Sequence, residues 1–361
     1  MTQIAAHLSD DRRDIGHAPG ETAARVLAPA TILVLDDAPT STTLPDAPNV
    51  GALERRLARL EGTESALVLS SGMAAISCTL LALLRPGDHL VASNWLSNST
   101  RHFFQTELPS VGVEVSFVDP TSARGWRRAM RKNTRVIFLE SLVDATTRVV
   151  DMKPVAMLAL EIGVALVVDA TATTPINFRA REHGADVIIH AATAYLSGDG
   201  DVSGGVVAGA DAVVDEVRAK MQQWGQTPSP FALWLLARGL RSLDVRMQRH
   251  NESAMRIARW AEQHASITAV QYPGLASHPD HTVAASLFDA FSGVLILVLA
   301  GGAPSAHHLV HGVQLFTPSA AVGGMQSRIH IFDDGVNSGV RLSIGLEDVG
   351  DLIADLTQAL T

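Results

Sequence analysis

The amino-acid sequence predicts a two-domain α/β protein built on a buried, mostly parallel sheet, and three observations lead there. Seven short runs rich in β-branched residues recur between Ala66 and Gly209, separated by helical or loop segments. These runs are apolar almost throughout rather than alternating, which is the pattern of strands covered on both faces. A helical stretch from Pro230 to His264 then precedes a second mixture of strands and helices. At 361 residues the chain has room for two domains of roughly 100–200 residues each.

Taken in order, residues 1–49 show little periodicity and read as an extended arm lying on a neighbouring subunit. ALERRLARLEG is an amphipathic helix with Leu53, Leu57 and Leu60 on one face. ALVLS is a strand, GMAAISCTLLALL a helix and HLVAS a strand. VEVSFV, RVIFLES, ALVVDAT, DVIIHA and GGVVAG complete the seven strands of a large domain spanning 50–245. A small domain spanning 246–361 contains the strands GVLILVLA and VRLSIG and closes with the helix DLIADLTQAL. Ligands of such sheets gather at the carboxyl ends of the strands. The segments of interest are therefore Ser71–Met73, Ser93–Thr100, Glu140–Asp144, Asp169–Thr174 and His190–Gly200.

Composition narrows the function classes. The net charge of −9, with no basic run, gives no attraction to nucleic acid or an anionic membrane. No clean apolar run of about 20 residues predicts a membrane span, and the polar N-terminus lacks the apolar core of a signal peptide. Cys78 is the only cysteine, which fits a reducing, cytoplasmic setting and reads as a buried, inert thiol. His307 and His311 have the i,i+4 spacing of metal ligands but no third ligand beside them, so no metal site is expected.

Five segments carry a specific likeness: SSGMAAI, DVIIHAATAYLSGDGDVSGG, SPFALWLLARGLRSLDVRMQRH, QYPGL and VRLSIGLEDVGDLIADLTQAL. Their content and order resemble the trans-sulfuration family of pyridoxal-phosphate (PLP) enzymes, which includes cystathionine γ-synthase, cystathionine γ-lyase and methionine γ-lyase. The likeness covers roughly residues 15–361. It implies the aspartate-aminotransferase-like fold of PLP-dependent transferases (fold type I), with a seven-stranded large domain and a small α/β domain. It also implies homodimers, usually paired into tetramers.

By this resemblance, Gly72 and Met73 stand where backbone amides meet the cofactor phosphate. Asp169 stands at the partner of the pyridine nitrogen, Thr193 at a phosphate-binding hydroxyl, and Arg341 at the substrate-carboxylate arginine. Other positions depart from the family. Its HSATKY reads HAATAY, so Ala194 replaces the lysine that forms a Schiff base with PLP, and Ala191 replaces a phosphate-binding serine. Ser97 replaces the tyrosine that stacks on the ring. Asp144 stands at an asparagine, Ala170 and Ala172 at an Asn and a Phe, and Ala321-Val322-Gly323-Gly324 at SLGG. The only tyrosines are Tyr195 and Tyr272, and no arginine lies between Arg25 and Arg55 to act as the arm's phosphate ligand. None of the three lysines, Lys132, Lys153 and Lys220, falls in a cofactor loop.

Those departures lead to the expectation that no covalent cofactor forms and that PLP has been lost or binds only weakly. Arg341 is then a free clamp for an anionic or amino-acid-like ligand, with Ser97 beside it and Asp144 and Asp169 as a candidate acid/base pair. The leading functional expectation is a repurposed, PLP-independent protein. The alternatives are a non-catalytic partner of an active paralogue, in a homo- or hetero-oligomer, and an engineered lysine-to-alanine variant of a γ-lyase or γ-synthase.

Overall fold

The computed structural model describes residues 48–361. The expected arm lies outside the described residues, except that Pro48 and Asn49 open the first helix, Pro48–Glu61. Leu53, Leu57 and Leu60 of that helix are buried, as their spacing predicts.

Seven strands follow: β1 (Ser65–Leu69), β2 (His89–Ser93), β3 (Glu114–Val118), β4 (Thr134–Glu140), β5 (Ala165–Asp169), β6 (Val187–Ala191) and β7 (Gly205–Gly209). They form one sheet in the order β1-β7-β6-β5-β4-β2-β3. The five central and far strands pair in parallel, whereas β7 runs antiparallel to both β6 and β1. Helices on both faces bury the sheet, so β2, β4 and β6 are apolar along nearly their whole length. One face packs on the helix Gly72–Leu83 through Ala75, Leu80 and Phe138; the other packs on Leu53, Leu57 and Ile137.

The stretch Pro230–His264 does not form one helix. It is a helix Pro230–Gly239, a short 3₁₀ turn Leu240–Ser242 and a 19-residue helix Leu243–Ala261. A tertiary contact sits at the break: a Cβ on Gly239 would lie 2.0 Å from the Ser197 carbonyl oxygen. Arg246 also bridges the Gly239 carbonyl (2.9 Å) and the Tyr195 carbonyl (2.7 Å). The turn after β6 is thus clamped to this bend. Burial of the guanidinium lowers its pKa to about 10.

Helix Leu243–Ala261 leads to a five-stranded sheet of β8 (Ile267–Gln271), β9 (Val294–Leu299), β10 (Thr317–Pro318), β11 (Arg328–Asp333) and β12 (Ser338–Ser343). Their order is β10-β11-β12-β9-β8. Sequence reading finds β9 and β12, which are apolar; β8, β10 and β11 carry exposed polar positions and are visible only in the structure. No helix among the described residues is long and apolar enough to cross a membrane.

Gly239 has an ordinary helical φ of −59°, so alanine there would favour the helix if contacts allowed it. Gly239→Ala is expected to lose more than about 2 kcal/mol of stability, measured by urea denaturation.

Candidate functional site

The site forms where β4, β5 and β6 end. Parallel pairing of β4 with β5 places Glu140 directly beside Asp169. Both are terminal residues of apolar strands, so each carboxylate sits at the sheet's carboxyl edge with its backbone fixed. Glu140 is buried, and its Oε1 accepts a hydrogen bond from the Ser97 N–H at 2.8 Å. Asp169 Oδ1 accepts from the Thr171 backbone N–H (2.9 Å) and hydroxyl (2.5 Å). Thr171 Oγ1 in turn accepts from the Ala191 N–H at 2.8 Å, tying β5 to the end of β6.

Burial raises Glu140 well above the usual carboxylate range, and the neighbouring charges of Asp169 and Asp144 add to it. Burial raises Asp169 as well, but the Thr171 hydrogen bonds and the charge of His190 oppose the shift. Of the two, Glu140 is the carboxyl whose ionisation its surroundings oppose more strongly. Beneath them, His190 Nε2 lies 2.5 Å from Glu61 Oε1 in a fully buried pair. Burial opposes charge on His190, yet Glu61 and Asp169 together hold its pKa above the ordinary histidine value.

On the other side, Asp144 Oδ2 pairs with Arg341 Nη1 at 3.2 Å. Arg341, in the middle of β12, also donates from Nη2 to the Ala320 carbonyl. The expectation of a free Arg341 is thereby corrected: the guanidinium is buried and already engaged. The expected Asp144–Asp169 pair is also revised, because the in-register partner of Asp169 is Glu140, while Asp144 faces the arginine.

The remaining expected residues are placed as follows. Ser97 lies at the start of the helix Asn98–Ser110, and its hydroxyl donates to Thr100 Oγ1 at 2.9 Å rather than facing outward unpaired. Gly72 and Met73 open the helix Gly72–Leu83, capped by Ser71, whose side chain accepts from the Ala74 N–H. The first N–H groups of that helix have no upstream carbonyl to bond and suit an anion. A Cβ on Gly72 would lie 2.7 Å from the Ala191 Cβ, so glycine lets the end of β6 approach this helix. Thr193 is exposed, and its hydroxyl accepts from the Gly204 N–H at 3.3 Å. Ala194 is buried under Gly323 (φ +71°), whose Cβ would meet the Ala194 carbonyl carbon at 2.8 Å. His307 and His311 are exposed on one helix, and Cys78 is buried.

Glu61 is a functional candidate outside the segments picked out from the sequence, while Glu140, Thr171 and His190 lie within them without a role assigned there. One signal was available: Glu140 ends RVIFLE just as Asp169 ends ALVVD.

Comparison with known proteins now bears on this geometry. A family profile described as Cys/Met metabolism PLP-dependent enzyme matches residues 45–361. The chain is 37% identical to the L-methionine gamma-lyase of Pseudomonas putida over 87% of this chain and 83% of that one. It is 36% identical to the cystathionine gamma-synthase of Mycobacterium leprae, over 87% and 84%. This chain belongs to the Cys/Met metabolism family of PLP-dependent enzymes. Among solved members, metB from Corynebacterium glutamicum superposes with a TM-score of 0.88 at 30% identity, covering 99% of this chain and 97% of its own. A putative O-acetylhomoserine (thiol)-lyase from Campylobacter jejuni, whose structure contains N'-pyridoxyl-lysine-5'-monophosphate, gives 0.83 at 28% identity, covering 87% and 86%.

Family membership overturns the expectation that PLP has been lost. The family is defined as PLP-dependent, and the Campylobacter relative carries the pyridoxyl group in its structure. The residues here fit two of the cofactor's three anchor points. The helix start at Gly72 and Met73 suits its phosphate, and Asp169 suits its ring nitrogen. The third, a lysine, is alanine in this sequence.

Because the pKa of Glu140 lies above its unfolded value, the folded protein holds more protons than the unfolded chain between the two. Stability therefore falls as pH rises through that window. Glu140→Gln removes this penalty. Its melting temperature is expected to exceed wild type near about pH 8 and to converge with it near about pH 4, measured by calorimetry across pH.

Proposed function

We propose that this chain is a PLP-binding member of the family that does not turn over trans-sulfuration substrates. It would hold the cofactor by its phosphate and ring ends, with no amine at residue 194. The single observation that supports this reading is the free helix start at Gly72 and Met73 and the strand-end carboxylate of Asp169, together with a buried methyl group, Ala194, where the resemblance has a lysine. Bound PLP supplies an electron-accepting ring. The N–H groups of Gly72 and Met73 bind its phosphate, and the Asp169 carboxylate holds a proton at the ring nitrogen. Thr171 orients Asp169, and with the charge of His190 it opposes the upward shift that burial imposes on that carboxyl. Family catalysis needs a lysine to carry protons between substrate carbons, and Ala194 has no titratable group with which to do so.

A second reading, a partner subunit within a homo- or hetero-oligomer, is supported by one surface feature. Phe231 and Trp234 stack with centroids 6.1 Å apart, and Phe231 and Trp224 are exposed. Phe231 lines an open cavity of about 320 Å³ together with Ser70, Asp201, Val202, Pro228 and Leu235. Exposed aromatics of this kind are enriched at protein interfaces. A reducing cytoplasm fits the single buried cysteine.

PLP is expected to co-elute with the protein in gel filtration, followed by its visible absorption, and Ala194→Lys should retain it more tightly. Wild type should turn over neither cystathionine nor an O-acylhomoserine. Loss of PLP from both proteins would refute cofactor binding, and turnover by wild type would refute the non-catalytic reading. Asp169→Ala should weaken PLP binding roughly tenfold or more, the scale of one charge-assisted hydrogen bond, as read by fluorescence titration.

A further inference from the structure

Arg341 is the one guanidinium at the crevice paired with Asp144, and both of its bonded nitrogens are satisfied by the protein itself. Nη1 meets the Asp144 carboxylate at 3.2 Å, and Nη2 meets the Ala320 carbonyl. The guanidinium side chain is 9% exposed and that of Asp144 25%. A ligand carboxylate bonding to Nη1 would have to compete with Asp144 for it.

Asp144 is not a chance visitor there. It lies in the loop between β4 and the helix Met152–Ile162, which is closed by a bridge between Leu142 and Val149. The Val143 N–H donates to the Arg148 carbonyl at 3.0 Å, and the Thr147 N–H to the Val143 carbonyl at 2.7 Å. Thr147 takes a φ of 54° to make this turn. Arg148 then ties the loop to the C-terminal half of the chain. Its Nε and Nη2 form a two-pronged bond to Asp280, at 2.6 and 3.0 Å. Asp280 also accepts from the Val149 N–H at 3.0 Å. The face of Arg148 lies 4.0 Å from the Trp95 ring. The carboxylate is therefore presented to Arg341 by a braced turn, as an intramolecular ligand with a high effective concentration.

Displacing it would be unfavourable for a second reason. The charge of Asp144 adds to the upward shifts of the buried Glu140 and Asp169 carboxyls. Losing its arginine would leave Asp144 unpaired beside two buried carboxyls, and like charges close together disfavour one another. A ligand bringing a further carboxylate has to overcome both effects.

We infer that Asp144 is a specificity-determining residue that occupies the arginine site as a built-in competitor and discriminates against ligands carrying a carboxylate. It does so by holding Arg341, independently of whether PLP is bound. The sequence change that creates it, aspartate at a position where the resembling family has asparagine, alters the charge and not the size of the side chain.

The test is calorimetric titration of the purified protein, without PLP, using L-methionine and 3-(methylthio)propionate as carboxylate probes. Wild type should bind both weakly. Asp144→Asn and, as a second variant differing in size, Asp144→Ser should each bind both probes at least about tenfold more tightly, as expected when a tethered charged competitor is removed. The gain should vanish in the double variant Asp144→Ser/Arg341→Gln. Unchanged affinity in either correctly folded single variant overturns the proposal, as does a gain that persists without Arg341. The titrations contain no PLP, so their result is separate from that of the cofactor-retention experiment.

Discussion

Parallel pairing of β4 with β5 fixes Glu140 and Asp169 side by side at the carboxyl edge of a sheet that is buried on both faces. Two carboxylates cannot occupy such a place unsupported, because burial disfavours their charge and each disfavours the other's. The surroundings read as the response to this constraint. The Ser97 amide serves Glu140, Thr171 serves Asp169 twice, and His190 brings a positive charge held in turn by Glu61. Asp144 is kept out of the pair by Arg341.

The same constraint couples the two sheets. Arg341 belongs to β12 of the C-terminal sheet, while Asp144 follows β4 of the large one. Arg148 and Asp280 make a second link across the same seam. A third is polar and uncharged: Ser292 Oγ donates to the Ala172 carbonyl at 2.6 Å, and the Tyr272 hydroxyl donates to the Ser292 carbonyl at 3.0 Å. These contacts make the crevice a joint product of both halves of the chain. A ligand that disturbs Asp144 also disturbs how the halves meet.

On the function proposed above, the chain keeps a cofactor cradle while the groups around it differ from those the resemblance gives its relatives. Gly72 and Met73 open a helix with free N–H groups, and Asp169 ends β5, as the proposed cradle requires. At residues 97, 144 and 194, by contrast, the sequence resemblance places a tyrosine, an asparagine and a lysine in relatives, and this chain has serine, aspartate and alanine. The changes act on ring stacking, charge and proton transfer, whereas the backbone geometry of the sheet and of the helix start remains regular.

The apolar strands were legible in the sequence because burial on both faces leaves an unbroken run of Val, Ile and Leu, as in VIFLE, ALVVD and DVIIHA. The helix at Gly72, the site-edge position of Asp169 and the alanine at 194 were legible for a similar reason: each is a residue type at a fixed place in a local motif. Strands β8 and β11 were not, since their exposed polar residues break the apolar pattern, and the bend at Gly239 depends on the carbonyl of Ser197, 42 residues away in the sequence. The charge pairing was hidden in the same way. That Arg341 is engaged, that Glu140 rather than Asp144 stands beside Asp169, and that Glu61 supports His190 across 129 positions all follow from strand register and from the meeting of two sheets. Sequence by itself determined which chemical groups line the crevice, because strand ends are local features. Only the tertiary structure decided which of those groups neutralise one another, because ion pairing depends on distances of a few ångströms between residues far apart in the chain.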